Sequence, residues 1–313
     1  MSLLTRANRV MPRRSLRHKG HEAERSIISP LDRRRPATRA GLGVMSTLLL
    51  SSLLLVAGGP LLWLAKSAFS TTQDIIADPF TWWPSGIQWT NLADAWSRAN
   101  FDTYFLNTVW IAVGSWAFSL IVAVCGGYSL SVLRPSYGKY VNVGVLATLF
   151  IPGVISLVPL YITVLDLPLV HINLLNTYWA VWLPAAASAF NVLLVTRFFD
   201  GLPRDIFDAA KIDGAGAFGV FWLIVIPLSQ PIIATVSLLS IMAAWKEFLW
   251  PFLVLPSRDL QPLSVGLYRA VEVFPLNLQI AGMFISVIVP LIVFMLFQRQ
   301  FLKGVGQSGA LKG

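Results

Sequence analysis

The residues best placed to do chemistry lie in one polar stretch between apolar runs, Asp205-Ile206-Phe207-Asp208-Ala209-Ala210-Lys211-Ile212-Asp213-Gly214-Ala215. A connector between two apolar helices needs only a few residues. Its length, its acidic side chains and its small residues therefore call for a role, and a docking surface for another protein fits them. Elsewhere the sequence excludes more chemistry than it offers. No GxxxxGK[ST] phosphate loop occurs, so the chain is not its own ATPase by that route. Gly304-Val305-Gly306-Gln307-Ser308-Gly309 spells GxGxxG. It follows an apolar run instead of a strand, and no βαβ unit surrounds it. His18, His21 and His171 form no metal or triad pattern. Cys125 is the only cysteine, which rules out a disulfide or zinc framework within the chain, and its apolar surroundings predict a core position. No catalytic residue, metal site or cofactor is expected in this chain.

Two further groups attract attention. Lys246 and Glu247 are adjacent charges at the end of an apolar run, between Trp245 and Trp250. A charge in a membrane segment is costly and is by default a functional candidate, here for lining a pathway. Interfacial anchoring by the flanking tryptophans is the competing reading, and the preferred one. Arg258, Arg269 and Glu272 lie in a polar segment, 252–277. Trp82, Trp83, Trp89 and Trp96 crowd the segment 67–103, where a sugar platform is conceivable.

The elements that must position these groups are membrane helices. Of 313 residues, 56% are hydrophobic and 12% charged, against roughly 25% charged in ordinary soluble domains. Residues 1–43 hold 11 Lys/Arg and 3 Asp/Glu, which is nearly all of the net charge of +9. That basic tail reads as a disordered cytoplasmic segment touching anionic lipid, not as a nucleic-acid binder. Residues 44–313 carry six apolar runs, near 44–66, 105–133, 141–164, 177–196, 221–244 and 278–298, each about the 20 residues a bilayer crossing requires. The first also resembles a secretory signal, but it continues through Pro60 beyond the usual h-region and is read as an uncleaved span. With both termini inside, the inner segments hold 19 Lys/Arg and the outer loops three, so the positive-inside rule places the 205–217 stretch in the cytoplasm.

Within that stretch, Asp205 and Asp208 suit a helix N-terminus and Lys211 its C-terminus. Asp213-Gly214 is a turn dipeptide, with Gly214 able to stop the helix in the left-handed region. The expectation is a short surface helix with Ala209 and Ala210 on an approachable face, a sharp turn, and a second helix entering the membrane. An amphipathic helix lying on the lipid surface fits poorly, because the charge is not basic.

Leu202–Pro231 resembles the EAA loop of permease subunits in binding-protein-dependent ABC importers. Asp208-Ala209-Ala210 stands for E-A-A, Asp213-Gly214-Ala215 for D-G-A, and Ile224, Pro227 and Pro231 for the closing I-x-x-P-x-x-x-P. Asp208 departs from the family's Glu by one methylene. Tyr104-Phe105-Leu106-Asn107-Thr108, Ile151-Pro152-Gly153, Val158-Pro159-Leu160-Tyr161, the stretch Trp245–Pro251, and the tail from Phe297 to Gly313 resemble the carbohydrate-uptake, maltose/glycerol-phosphate type. Lys246 stands where that family usually has Asn.

The resemblance implies an all-α type I importer permease with six spans and a coupling loop near 199–220. Asp208, Ala209, Ala210, Asp213, Gly214 and Ala215 would contact the ATPase. It also implies a homologous permease as heterodimer partner, two ATPase subunits that bind ATP and Mg, and an extracytoplasmic solute-binding protein. Trp245, Lys246, Glu247, Arg258 and Arg269 are the candidates for meeting the pathway or the binding protein. The resemblance makes 252–277, with Arg258, Arg269 and Glu272, the loop that touches the binding protein, and 67–103 an outward cap. With Lys246 in place of Asn, it carries over no pathway role for that residue. The solute would be a sugar or a sugar-like molecule. An ion-coupled secondary transporter is the alternative, and the near absence of charge in the spans weighs against it. A membrane scaffold would not need Pro152, Pro159, Pro184, Pro227 and Pro290 in its spans.

Overall fold

The computed structural model describes residues 36–310, without the side chains of Phe297 and 299–310. Most of the basic tail and the last three residues lie outside the described residues, as do the side chains of the GxGxxG-like segment. The described residues are helical throughout, with turns and no strand. By internal contacts the chain forms two units, one ending at Pro60 and one beginning at Leu61.

Helix α1 runs from Pro36 to Ala68. Within the described residues it already runs eight residues ahead of the expected span edge. In the first unit its leucines and valines, such as Leu54 and Val56, are exposed. In lipid an apolar side chain gains nothing further by leaving the solvent.

In the second unit, α2 (Thr72–Ala77) and α3 (Thr90–Arg98) form the outer segment. The Thr71 hydroxyl accepts the Asp74 N–H at 3.1 Å to start α2. Helix α4 (Phe101–Tyr128) continues through a π-helical turn, Ser129–Leu133, to make 33 residues of apolar helix. At the other end of the chain α15 (Leu276–Ala310) is also long and apolar enough to cross a membrane.

The third, fourth and fifth expected spans are not single helices. Helices α5 (Gly138–Thr148) and α6 (Gly153–Leu165) meet at 110°, with Pro152 at the break. Helices α7 (Trp179–Ala186) and α8 (Ala189–Asp200) meet at 40°, where the Ser188 hydroxyl caps α8 by accepting the Asn191 N–H. A short α10 (Ala217–Val220) runs through a second π turn, Phe221–Val225, into α11 (Ile226–Leu228). It meets α12 (Gln230–Lys246) at 77°, with Pro227 and Pro231 flanking the break at Ser229. Prolines remove i→i−4 bonds and clash with the preceding turn, which is why apolar runs of span length bend here. Leu167–Asn176 is an irregular loop with positive φ at Leu169, His171 and Asn176. Beyond α12 come α13 (Leu249–Val254) and α14 (Leu263–Val273).

The main core joins α4, α8 and α12 through Ala123, Val195, Phe199, Val225 and Val236. Small residues allow the closest crossing: a Cβ on Gly127 of α4 would stand 2.7 Å from Val195 Cγ1 and 3.1 Å from the Thr196 backbone nitrogen. Cys125 is not in this core. It lies on the exposed face of α4, because the core-facing stripe there is Ala123, Val124, Gly127 and Tyr128.

Candidate functional site

Helix α9 (Arg204–Ile212) carries the polar stretch. Pro203 precedes it in an extended conformation, one residue before the helix proper, and Asp205 and Lys211 occupy the turns that suit their charges. Phe207 and Ala210 are buried at 4% and 6% exposure against the main core, and Asp208, Ala209, Lys211 and Ile212 face outward. Lys211 Nζ pairs with Asp208 Oδ1 at 3.2 Å. Both side chains are well exposed, so the pair adds little stability.

The helix ends in a Schellman turn. The Ala215 N–H donates to the Ala210 carbonyl at 2.9 Å and the Gly214 N–H to the Lys211 carbonyl at 3.1 Å, with Gly214 at φ +77°. Of the six candidate contact residues, Asp208, Ala209, Asp213 and Gly214 are brought together on the surface and Ala215 is half-buried. Ala210 is a correction: it faces this chain's own core, where its small size lets α9 lie close, and it is not open to a partner. Ile212 and Phe218, exposed at 86% and 78%, flank the turn. Their apolar exposure was not anticipated, since only the fold shows which way each one points.

At the base of α9, Asp200, the last residue of α8, accepts the Ser131 hydroxyl on Oδ1 at 2.7 Å. The Nη2 atoms of Arg134 and Arg204 stand 3.7 Å from the same oxygen, and Arg197 Nη1 stands 3.9 Å from Oδ2. Sequence reasoning had counted the three arginines only as topology signals. Nothing in the linear pattern joins Ser131 to Asp200.

A cavity of about 810 Å³ opens between α4, α6, α7, α8, α12 and α13. Its polar side is a triad: Asn191 Nδ2 donates to Ser119 Oγ at 3.0 Å and to Ser240 Oγ at 3.1 Å. Lys246 and Glu247 both line this cavity. Trp250 lines it too, and Trp245 and Trp250 each cap a backbone carbonyl. Pro184 has no N–H to offer the Ala180 carbonyl, and Trp250 Nε1 donates to it at 2.9 Å. Pro290 likewise frees the Ser286 carbonyl, and Trp245 Nε1 donates to that at 3.1 Å. Trp245 is buried, and its indole makes a structural bond between α12 and α15.

Arg258 and Arg269 line a second cavity, of about 300 Å³, with Asp259, Glu272 and Tyr104. Arg269 also lies over the Phe252 ring, 5.9 Å from its centroid. The loop carrying Arg258 is tied to α4. Asn107 Nδ2 donates to the Asp259 and Gln261 carbonyls at 2.8 and 2.9 Å, and Tyr178 Oη donates to Asn107 Oδ1 at 2.8 Å. Among the described residues no cluster of side chains suits a metal ion.

Residues 42–307 match the family described as binding-protein-dependent transport system inner membrane component. The arabinooligosaccharides transport system permease protein AraQ of Halalkalibacterium halodurans is 33% identical over 259 residues, covering 81% of this chain and 91% of that protein. The sn-glycerol-3-phosphate transport system permease protein UgpE of Yersinia pestis is 26% identical over 280 residues, covering 86% and 98%. Among solved structures, a chain of a bacterial ABC transporter involved in the import of the acidic polysaccharide alginate superposes with a TM-score of 0.73 at 22% identity, over 88% of this chain and 99% of that one. That likeness is one of fold. With the family match spanning most of the sequence, the chain belongs to the binding-protein-dependent transport system inner membrane components, as a multi-pass ABC transporter permease.

Proposed function

We propose that this permease forms half of an importer's translocation pathway for a sugar or sugar-like solute and moves it by alternating access, driven through α9. The observation that carries the coupling role is the α9–Gly214 turn. It holds Asp208, Ala209, Asp213 and Gly214 on one outward surface, with the apolar Ile212 and Phe218 beside it. That surface suits a cleft on another protein, and the positive-inside count supports a cytoplasmic position for it, where ATP is available. ATP and Mg would be bound by two separate ATPase subunits, since this chain has no phosphate loop. Their closure would displace α9 and switch the pathway between inward- and outward-facing states as rigid bodies. A second, homologous permease would complete the pathway, and an extracytoplasmic binding protein would deliver the solute.

The sugar class rests on the relatives, several of which carry saccharides in their names, among them arabinooligosaccharides and lactose. The hydroxyl- and amide-lined face of the large cavity is chemically compatible with such a solute. The test is a mild-detergent pull-down of the tagged protein from its native membrane. An ATPase that accompanies wild type and is lost with Asp213→Lys supports the reading. A chain that emerges alone, and transports when reconstituted with only an ion gradient, overturns it in favour of a secondary transporter.

A further inference from the structure

A push on α9 does no work unless it reaches the helices that line the pathway. Backbone continuity gives one route, to α8, through residues 201–203. The side chains give a second, to the last turn of α4. Ser131 lies on the π turn there and is fully buried. Its carbonyl lies in the last turn before the left-handed Arg134, where no further helical N–H follows to bond it. Two arginines fill the vacancy: Arg134 Nε donates to the Ser131 carbonyl at 2.8 Å and Arg204 Nη1 at 3.3 Å. The Ser131 hydroxyl meanwhile donates to Asp200.

Arg204 is the first residue of α9, so its start is bonded to α4 and held by the Asp200 carboxylate. The far side of the Schellman turn is bonded to α4 as well. Tyr128 Oη donates to the Ala217 carbonyl at 2.7 Å, and the Tyr128 ring meets Phe221 edge-on at 5.0 Å.

The two ties bracket α9 and converge on four consecutive residues of the same helix end, 128–131. Three guanidinium groups surround one carboxylate. Removing its charge leaves like charges close together with no counterion. The carboxylate also sits at the C-terminal end of α8, where the helix dipole disfavours it. Without the arginines Asp200 would be poorly placed, so the cluster functions as a unit.

We propose that this double tie transmits the displacement of α9 to α4, with Asp200, Ser131, Arg204 and Tyr128 as positioning residues for coupling. The proposal rests on the reading of α9 as the coupling helix. It locates the transmission at the base of α9, apart from the surface that would meet the ATPase.

The test is hydrogen exchange of the complete purified importer in lipid nanodiscs, nucleotide-free and vanadate-trapped. Protection is followed in peptides covering 204–216 and 121–134. In wild type, trapping changes both regions. In Asp200→Asn, which keeps the size of the side chain and an acceptor oxygen, the α9 peptide still responds. The response at 121–134 falls about tenfold, as expected for weakening a hydrogen bond to a charged group. Asp200→Glu restores part of it, which a purely space-filling role would not give. If Asp200→Asn fails to assemble, Tyr128→Phe removes only the second tie and is read in the same way. A wild-type response at 121–134 in both variants overturns the proposal. No response of 204–216 in wild type overturns the coupling reading itself, and the tie falls with it.

Discussion

Trp250→Phe isolates the bond between an indole and a carbonyl that a proline has freed. Trp250 is buried and its Nε1 lies 2.9 Å from the Ala180 carbonyl, which Pro184 cannot serve. Phenylalanine keeps the aromatic contact but removes the donor. The orphaned carbonyl then costs about 1–3 kcal/mol, and the void left by the smaller ring adds about 1 kcal/mol. The expected loss is therefore about 2–4 kcal/mol, large against the stability of a typical domain.

Adding Pro184→Ala returns an N–H four residues after Ala180. In the double variant an ordinary helical bond satisfies the carbonyl, and only the void remains. The double variant should be about 1–3 kcal/mol more stable than the sum of the two single effects predicts. Unfolding of the purified protein in mixed micelles, followed by far-ultraviolet circular dichroism, measures all four corners of the cycle. Additivity within about 0.5 kcal/mol would refute the argument that the indole replaces the missing N–H.

Neighbouring glycines of α4 should respond with opposite signs. Gly127→Ala drives a methyl against Val195 and the Thr196 backbone and should cost about 1–3 kcal/mol. Gly126→Ala meets Val192 at an ordinary 3.4 Å and should gain up to about 1 kcal/mol of helix propensity, both read by thermal unfolding in detergent. Gly214→Val puts a β-branched residue at φ +77° and should cost about 1–2 kcal/mol at the turn. Gly214→Asn should be milder, and ATPase co-purification should rank the two in that order. Asn107→Ala frees the Asp259 and Gln261 carbonyls and the Tyr178 hydroxyl. Limited proteolysis should then cut the 256–262 segment at least about tenfold faster, for a loss of roughly 1.4 kcal/mol or more.

Much of the site was legible because it depends on local geometry. The Asp213-Gly214 pair and the acidic-to-basic order along α9 are sufficient to build a capped helix and a left-handed turn, and both are present. The burial of Ala210 was not legible. Alanine is at home on either face of a short helix, and only the packing of Phe207 into the main core sets the rotation of α9. Cys125 was misplaced for a related reason: in a run that is apolar all round, no period marks the inner side. Lys246 and Trp245 are adjacent in sequence, yet one lines the large cavity and the other caps α15.

The sequence by itself determined the apolar runs, the charge asymmetry and the turn after α9, since hydropathy, charge and glycine act over a few residues. The positions of the prolines also fix which carbonyls lose a helical partner, and tertiary structure alone decided which side chains answer them. It also decided that Ser131, Asp200 and Arg204 meet. Each of those outcomes depends on a hydrogen-bond partner supplied by another helix, 41 to 73 residues away in the chain.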